Sequence, residues 1–287
     1  MTPIAPLPQE VLTIVRALNA RFQDSREHRG RRAEHHVPNP NFKPTAQFIN
    51  TEGIEASINE IRDRMNKITQ ITYDKLSGEI VKLLNELLNE CTTINFDKLT
   101  DAFFKLVYEN QMSVSIYAKL YKSFIGIDKI NNGFMDKLRE QLKKYEEAII
   151  NLEVPSDECS YDEQCSIGAT NDKLKGFSKF VVYIAINELI DKTYVINIIN
   201  RVIAQMAASK DEISMSKQNE ILADHIYILC VEDMNIIREL RCTESVIDAI
   251  ETISKIPRGT CEGITTRCKY KLMDTIDILT GKRKKPI

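Results

Sequence analysis

Tryptophan is absent from the 287-residue chain, and helix breakers are scarce: ten Gly and nine Pro, most of them in the first fifth or the final turns. Long stretches are therefore free to run as helix, which favours an all-α fold. No two of the seven cysteines (Cys91, Cys159, Cys165, Cys230, Cys242, Cys261 and Cys268) stand at the two-residue spacing of a zinc site or redox dithiol, and no apolar leader opens the sequence. Both absences point to reduced thiols and a cytoplasmic protein. Apolar runs stay short of the roughly 18 residues a membrane span needs, because Lys, Asp, Asn or Glu interrupts each one. Charge of neither sign dominates: 39 Lys and Arg face 41 Asp and Glu. That balance argues against a protein coated by nucleic acid over its whole surface and leaves local basic patches open.

Catalytic signatures are missing as well. Gly281-Lys282 lacks the upstream Gly of a phosphate loop, and no Asp-Glu-Ala-Asp-like metal motif occurs. The expectation is a protein that is not an enzyme and uses no cofactor. His28, His35 and His36 sit in an Arg-rich segment and His225 on a helix, without Cys or carboxylate neighbours at ligand spacing, so no metal site is expected. Glu146-Glu147 and Glu232-Asp233 read as solvated helix faces.

What is present divides the chain at about residue 50. Residues 1–50 hold Pro38, Pro40 and Pro44 together with Arg21, Arg26, Arg29, Arg31 and Arg32, a composition that reads as a mostly extended segment. Within it, Val11, Ile14, Val15, Leu18 and Phe22 recur at helical spacing and predict a short amphipathic helix over 9–22. The Arg cluster, interleaved with Phe22, Gln23 and His28, has the make-up of an RNA-contacting arm; a solubilising tail has the same composition. The closing Lys282-Arg-Lys-Lys fits phosphate binding or nuclear import, and equally the basic residues that helix C-termini favour.

Residues 53–285 carry a nearly unbroken helical period. Apolar stripes such as Ile58, Ile61, Met65, Ile68 and Ile80, Leu83, Leu84, Leu87, Leu88 recur ten times. One interruption, Val154 to Asn171 with Pro155 and Gly168, predicts a long surface loop. Ten helices joined by short turns make about five antiparallel hairpins, the plan of an α-solenoid of HEAT type. No strict sequence repeat accompanies them, so an irregular helical bundle is the competing arrangement.

Four segments in order carry a family likeness: Ile61-Arg-Asp-Arg-Met-Asn-Lys-Ile-Thr with Tyr73-Asp-Lys-Leu; Phe104-Lys-Leu-Val-Tyr-Glu-Asn with Ser115-Ile-Tyr-Ala-Lys-Leu; Gly176-Phe-Ser-Lys-Phe-Val; and Thr266-Arg-Cys-Lys-Tyr-Lys-Leu-Met-Asp-Thr-Ile-Asp-Ile-Leu-Thr-Gly. Together they resemble the middle domain of eukaryotic translation initiation factor 4 gamma, in which Gly-x-x-Lys-Phe-Ile opens a helix after a variable loop. Asn41-Phe-Lys-Pro is similar to that family's Trp-Lys-Pro element, with Phe42 in place of Trp.

The resemblance implies a translation scaffold whose partner is a DEAD-box RNA helicase of the factor 4A type, with RNA as a second partner. It implies helicase contact through Phe42, Lys43 and Pro44 and through exposed charges of the last helix, Lys269, Lys271 and Asp274, with Asp277 on the same helix. Leu272, Ile276 and Leu279 are then core, and Tyr117, Ala118, Phe177 and Phe180 are packing residues. RNA contact falls to the arm, Arg21, Arg26, Arg29, Arg31 and Arg32. A cap-binding subunit stays open as a partner, although no Tyr-x-x-x-x-Leu-Φ element is present. Related domains act in mRNA decay, nuclear cap binding and splicing, and an adaptor of that kind is the alternative.

Overall fold

The computed structural model describes residues 53–90, 93–127, 133–156, 158–257 and 259–285, all within one unit that spans residues 51–287. The expectations for Arg21 to Arg32, the 9–22 helix and Phe42 to Pro44 lie outside the described residues. Within them the fold is all-α, with eleven helices and no strand: α1 (Ile54–Lys67), α2 (Tyr73–Glu90), α3 (Thr93–Glu109), α4 (Val114–Gly126), α5 (Gly133–Ile150), α6 (Tyr161–Ile186), α7 (Thr193–Ala208), α8 (Ser216–Val231), α9 (Asn235–Glu239), α10 (Thr243–Ser254) and α11 (Thr266–Leu279).

The apolar stripes form these helices and also decide how they stack. Ile58, Ile61 and Met65 face inward from α1, and Ile68 just beyond it is buried with them; Ile80, Leu84, Leu87 and Leu88 do the same from α2. The two helices pack together as the first hairpin. Three later hairpins, α5/α6, α7/α8 and α10/α11, close in the same way, and the second helices of successive pairs form a row in which α2 meets α4, α4 meets α6, α6 meets α8 and α8 meets α11. First helices pack likewise, α1 on α3, α5 on α7 and α7 on α10. Each pair thus buries its apolar faces against its neighbours, as in an α-solenoid. One irregularity marks the second pair, where α3 reaches past α5 to pack on α6.

That crossing is filled with aromatic rings. Phe103 lies 4.8 Å from Tyr121 and 6.3 Å from Phe180 between ring centroids, and it also meets Phe104, Tyr117 and Phe124. Phe177 stacks on Tyr108 at 4.8 Å. Tyr117, Ala118, Phe177 and Phe180 are all buried, as packing residues should be. The Tyr121 hydroxyl donates to the Phe134 carbonyl at 2.7 Å, which satisfies its one polar atom inside the core.

Two expectations need correction. Val154 to Asn171 is not a long loop, because α6 already begins at Tyr161 and runs for 26 residues. Its start is a capping box: Ser160 Oγ accepts from the Glu163 N–H, while the Glu163 carboxylate accepts from the Ser160 N–H at 2.8 Å. The ten residues from Tyr161 to Thr170 are almost all exposed, so no apolar stripe betrays the helix. For the same reason Gly176 opens nothing. It sits in the middle of α6, where a β-carbon would come within 2.9 Å of the Gln111 side chain, and it lets the turn between α3 and α4 close down on the helix. Gln111 Nε2 donates there to the Asp172 carbonyl at 2.6 Å.

Candidate interaction groove

The row of second helices carries a groove of about 570 Å³ whose walls come from the α3–α4 turn, α6, α8, α11 and the segment after α11. Its polar lining is set by helical spacing. Lys175 and Lys179 are four residues apart on α6, and Asp224, Tyr227, Ile228 and Val231 occupy one face of α8, so each helix turns one stripe toward the opening. Lys271 enters from α11 and Lys285 from beyond it.

Asp224 holds the centre. Lys175 Nζ lies 3.1 Å from one carboxylate oxygen and Lys271 Nζ 3.2 Å from the other. Burial works against the ionised carboxyl, but the Lys175 and Lys271 ammonium groups outweigh it and hold Asp224 below the usual carboxylate range. Lys271 also rests over the Tyr227 ring, 4.3 Å from its centroid. At the far end, Lys285 Nζ donates to the Glu232 carbonyl at 2.9 Å and lies 3.5 Å from the Glu232 carboxylate. Tyr183 donates to the same carboxylate at 2.9 Å. Lys179 has no ion-pair partner among the described residues. Four lysines against two carboxylates leave the lining with an excess of positive charge.

Of the last-helix residues expected to face a partner, Lys271 is in the groove and Asp274 is paired with Arg283 beside it. Lys269 is a correction. Its side chain is buried, and Nζ donates to the carbonyl oxygens of Ile256 and Pro257 at 2.7 and 3.1 Å, so it ties the α10–α11 connection to α11. Leu272, Ile276 and Leu279 are core as expected. The Lys269→Met substitution leaves two carbonyls without their donor and is expected to cost about 1–3 kcal/mol in urea unfolding. Lys271→Met, which loses only partly exposed contacts, is expected to cost about 1 kcal/mol or less. Equal losses would contradict the buried role of Lys269.

No protein-family model matches this sequence, and no curated protein is found similar to it. The groove and the fold are therefore read on their own chemistry. A second cleft, of about 590 Å³, lies beside the end of α5. There Gln205 and Gln218 both donate to the Ile150 carbonyl, at 2.8 and 3.2 Å, so these donors serve the helix terminus.

Beneath the groove, on the inner face of α8, a polar chain crosses the core. Ser178 Oγ lies 2.7 Å from His225 Nδ1 and 2.7 Å from the Tyr145 hydroxyl, and it donates to the Leu174 carbonyl at 3.2 Å. His225 Nε2 is buried and has no hydrogen-bond partner among the described residues. Every donor is satisfied when the proton sits on Nδ1 and both His225 and Tyr145 donate to Ser178, leaving only a bare lone pair on Nε2.

Burial first, and Lys175 second, push the His225 imidazole down to about 3. The unfolded chain, with an ordinary imidazole near 6.5, therefore binds the extra proton first as pH falls, so stability declines from about pH 6.5 downward. Between pH 7 and pH 5 the expected loss is about 2 kcal/mol, in a window above the titration of Asp224. A His225→Leu variant is expected to flatten this slope in urea melts at the two pH values. The same slope in both proteins would contradict a neutral buried histidine.

Among the described residues no three His, Cys, Asp or Glu side chains gather as metal ligands, and no helix is long and apolar enough to cross a membrane. The six described cysteines are free thiols. Cys230 is enclosed by apolar groups that push its thiol far up, which keeps it unreactive.

Proposed function

We propose that this chain is a scaffold for translation initiation that binds a DEAD-box RNA helicase of the factor 4A type and raises its turnover, with RNA as an auxiliary partner. The observation that carries the reading is the continuous row of second helices, ending in α11, on a stack of hairpins. A surface built that way spans several rungs and suits a two-lobed partner better than a point contact. The ordered likeness to the initiation factor 4 gamma middle domain supports it, and two helix boundaries agree with that likeness: α1 ends at Lys67 within Asn-Lys-Ile-Thr, and α2 opens on the aromatic Tyr73.

Stimulation requires only that the scaffold bind one arrangement of the helicase lobes better than another. A coupling of about 1–3 kcal/mol shifts the balance between two lobe arrangements about 5- to 150-fold. Lys271 and Asp274 are the last-helix contacts in this reading, and Phe42, Lys43 and Pro44 are the second contact set. Lys269 is withdrawn from the contact set, because reversing its charge would disturb the fold before it disturbed a partner.

The binding test uses a purified factor-4A-type helicase and calorimetry. The full chain is expected to bind, and Phe42→Ala combined with Lys271→Glu is expected to weaken binding about tenfold or more. No binding by the unaltered chain would move the assignment to an adaptor of mRNA decay, nuclear cap binding or splicing.

A further inference from the structure

We propose that the groove between α6, α8 and α11 takes an acidic peptide segment with one large apolar side chain, presented by a partner protein. The inference rests on the chain being a protein-binding scaffold, and the helicase need not be the protein that supplies the segment.

Charge is the first ground. The whole chain carries a net −2, yet the groove lining has two more lysines than carboxylates. Lys175 and Lys271 are drawn together on Asp224, and Lys179 stands on the same stripe of α6 without a counter-ion among the described residues. An incoming carboxylate finds a free ammonium at Lys179 and a favourable field from its neighbours.

An apolar ledge beside those charges is the second ground. Met112, at the tip of the α3–α4 turn, is 92% exposed. It lines the groove together with the half-buried, aliphatic Ile228. A flexible thioether beside a β-branched wall adapts to an aliphatic or aromatic side chain. Covering it removes apolar surface from water.

The same geometry disfavours RNA here. Lys271 already covers a face of the Tyr227 ring, so that face is closed to a stacking base. Arginine is missing from the lining, and Asp224 and Glu232 would oppose a run of phosphates. A peptide can place a single carboxylate at Lys179, away from these two groups, and its apolar residue at Met112.

The test is fluorescence anisotropy with the full chain and three labelled probes: a short Glu-rich peptide with one central Phe, its Gln-for-Glu counterpart, and a single-stranded RNA oligomer of equal charge. The Glu peptide is expected to bind about tenfold or more tighter than the Gln peptide. Lys179→Glu is expected to weaken it about tenfold, whereas Lys105→Glu, on the exposed face of α3, leaves it unchanged. Lys179 has no ion-pair partner among the described residues that its reversal would strand, and an unchanged urea midpoint of the variant assigns a loss to binding.

Equal binding of the two peptides, or indifference to Lys179→Glu, would overturn the proposal. So would RNA binding that depends on Lys179 while the peptide fails. Helicase stimulation by the unaltered chain is measured in parallel: stimulation without peptide binding overturns the groove inference alone, and peptide binding without stimulation overturns the helicase reading alone.

Discussion

Replacing Phe103 with Ala is expected to lower unfolding free energy by about 3–5 kcal/mol, with the urea midpoint falling and the slope unchanged. Phe103 is 1% exposed and touches rings from both α4 and α6. It therefore joins the second hairpin to the third at the place where α3 departs from regular stacking. Truncation removes the apolar burial and leaves a cavity that five rigid rings cannot collapse to fill. Tyr161, 79% exposed at the start of α6, is the matched control: Tyr161→Ala is expected to change stability by no more than about 0.5 kcal/mol. A small effect at Phe103 would mean that the aromatic cluster does not carry the junction.

Gly263→Ala is expected to destabilise by about 2–4 kcal/mol, an effect unusual for a single methyl group. A β-carbon at this position would lie 2.4 Å from the Ser209 carbonyl oxygen, 2.7 Å from that of Glu212 and 2.8 Å from that of Lys210. All three are backbone atoms of the α7–α8 connection, so nothing flexible can swing aside. Relief requires the two connections to separate. Separation breaks the bond from the Gly263 N–H to the Lys210 carbonyl at 2.8 Å and the bond from Asn219 Nδ2 to the Gly263 carbonyl at 2.9 Å.

Asn219 is fully buried, and losing that acceptor leaves a polar group with no water to replace it. Gly78 provides the contrast. It lies exposed within α2 with nothing near its added β-carbon, and Gly78→Ala is expected to stabilise by about 0.5–1 kcal/mol. Thermal or urea melts of the two variants should therefore move in opposite directions, and a shared direction would contradict the tight contact at Gly263.

Helices were legible wherever one face is buried and the other is wet. The stripe of α1 matches the buried residues position by position, and that of α2 does so at all but the half-buried Leu83, because burial on one side is what creates the period. The first three turns of α6 project into solvent on almost every side, so their sequence has no period to read. Only Ser160 and Glu163 signalled the start. Helix α9, five residues long, is too short for a period and was not foreseen.

Site residues followed the same logic. Lys271 was legible as a charge on the last helix. Lys269, two positions away, looked identical in sequence, and its burial is decided by the carbonyls of Ile256 and Pro257, which no local pattern encodes. Lys175, Asp224 and Tyr227 went unnoticed, and Lys179 entered only within the Gly176-Phe-Ser-Lys-Phe-Val likeness, because the groove gathers them from separate rungs. The available hint was polar intrusion into otherwise apolar stretches: Lys175 and Lys179 interrupt the apolar run of α6, and Asp224 that of α8.

The scaffold reading is tested most directly by RNA-dependent ATP hydrolysis of a factor-4A-type helicase, titrated with the full chain at saturating RNA. Turnover is expected to rise and saturate as the scaffold is added, and to rise less with Phe42→Ala plus Lys271→Glu. Turnover that stays flat across the titration, with both proteins folded, would contradict the account.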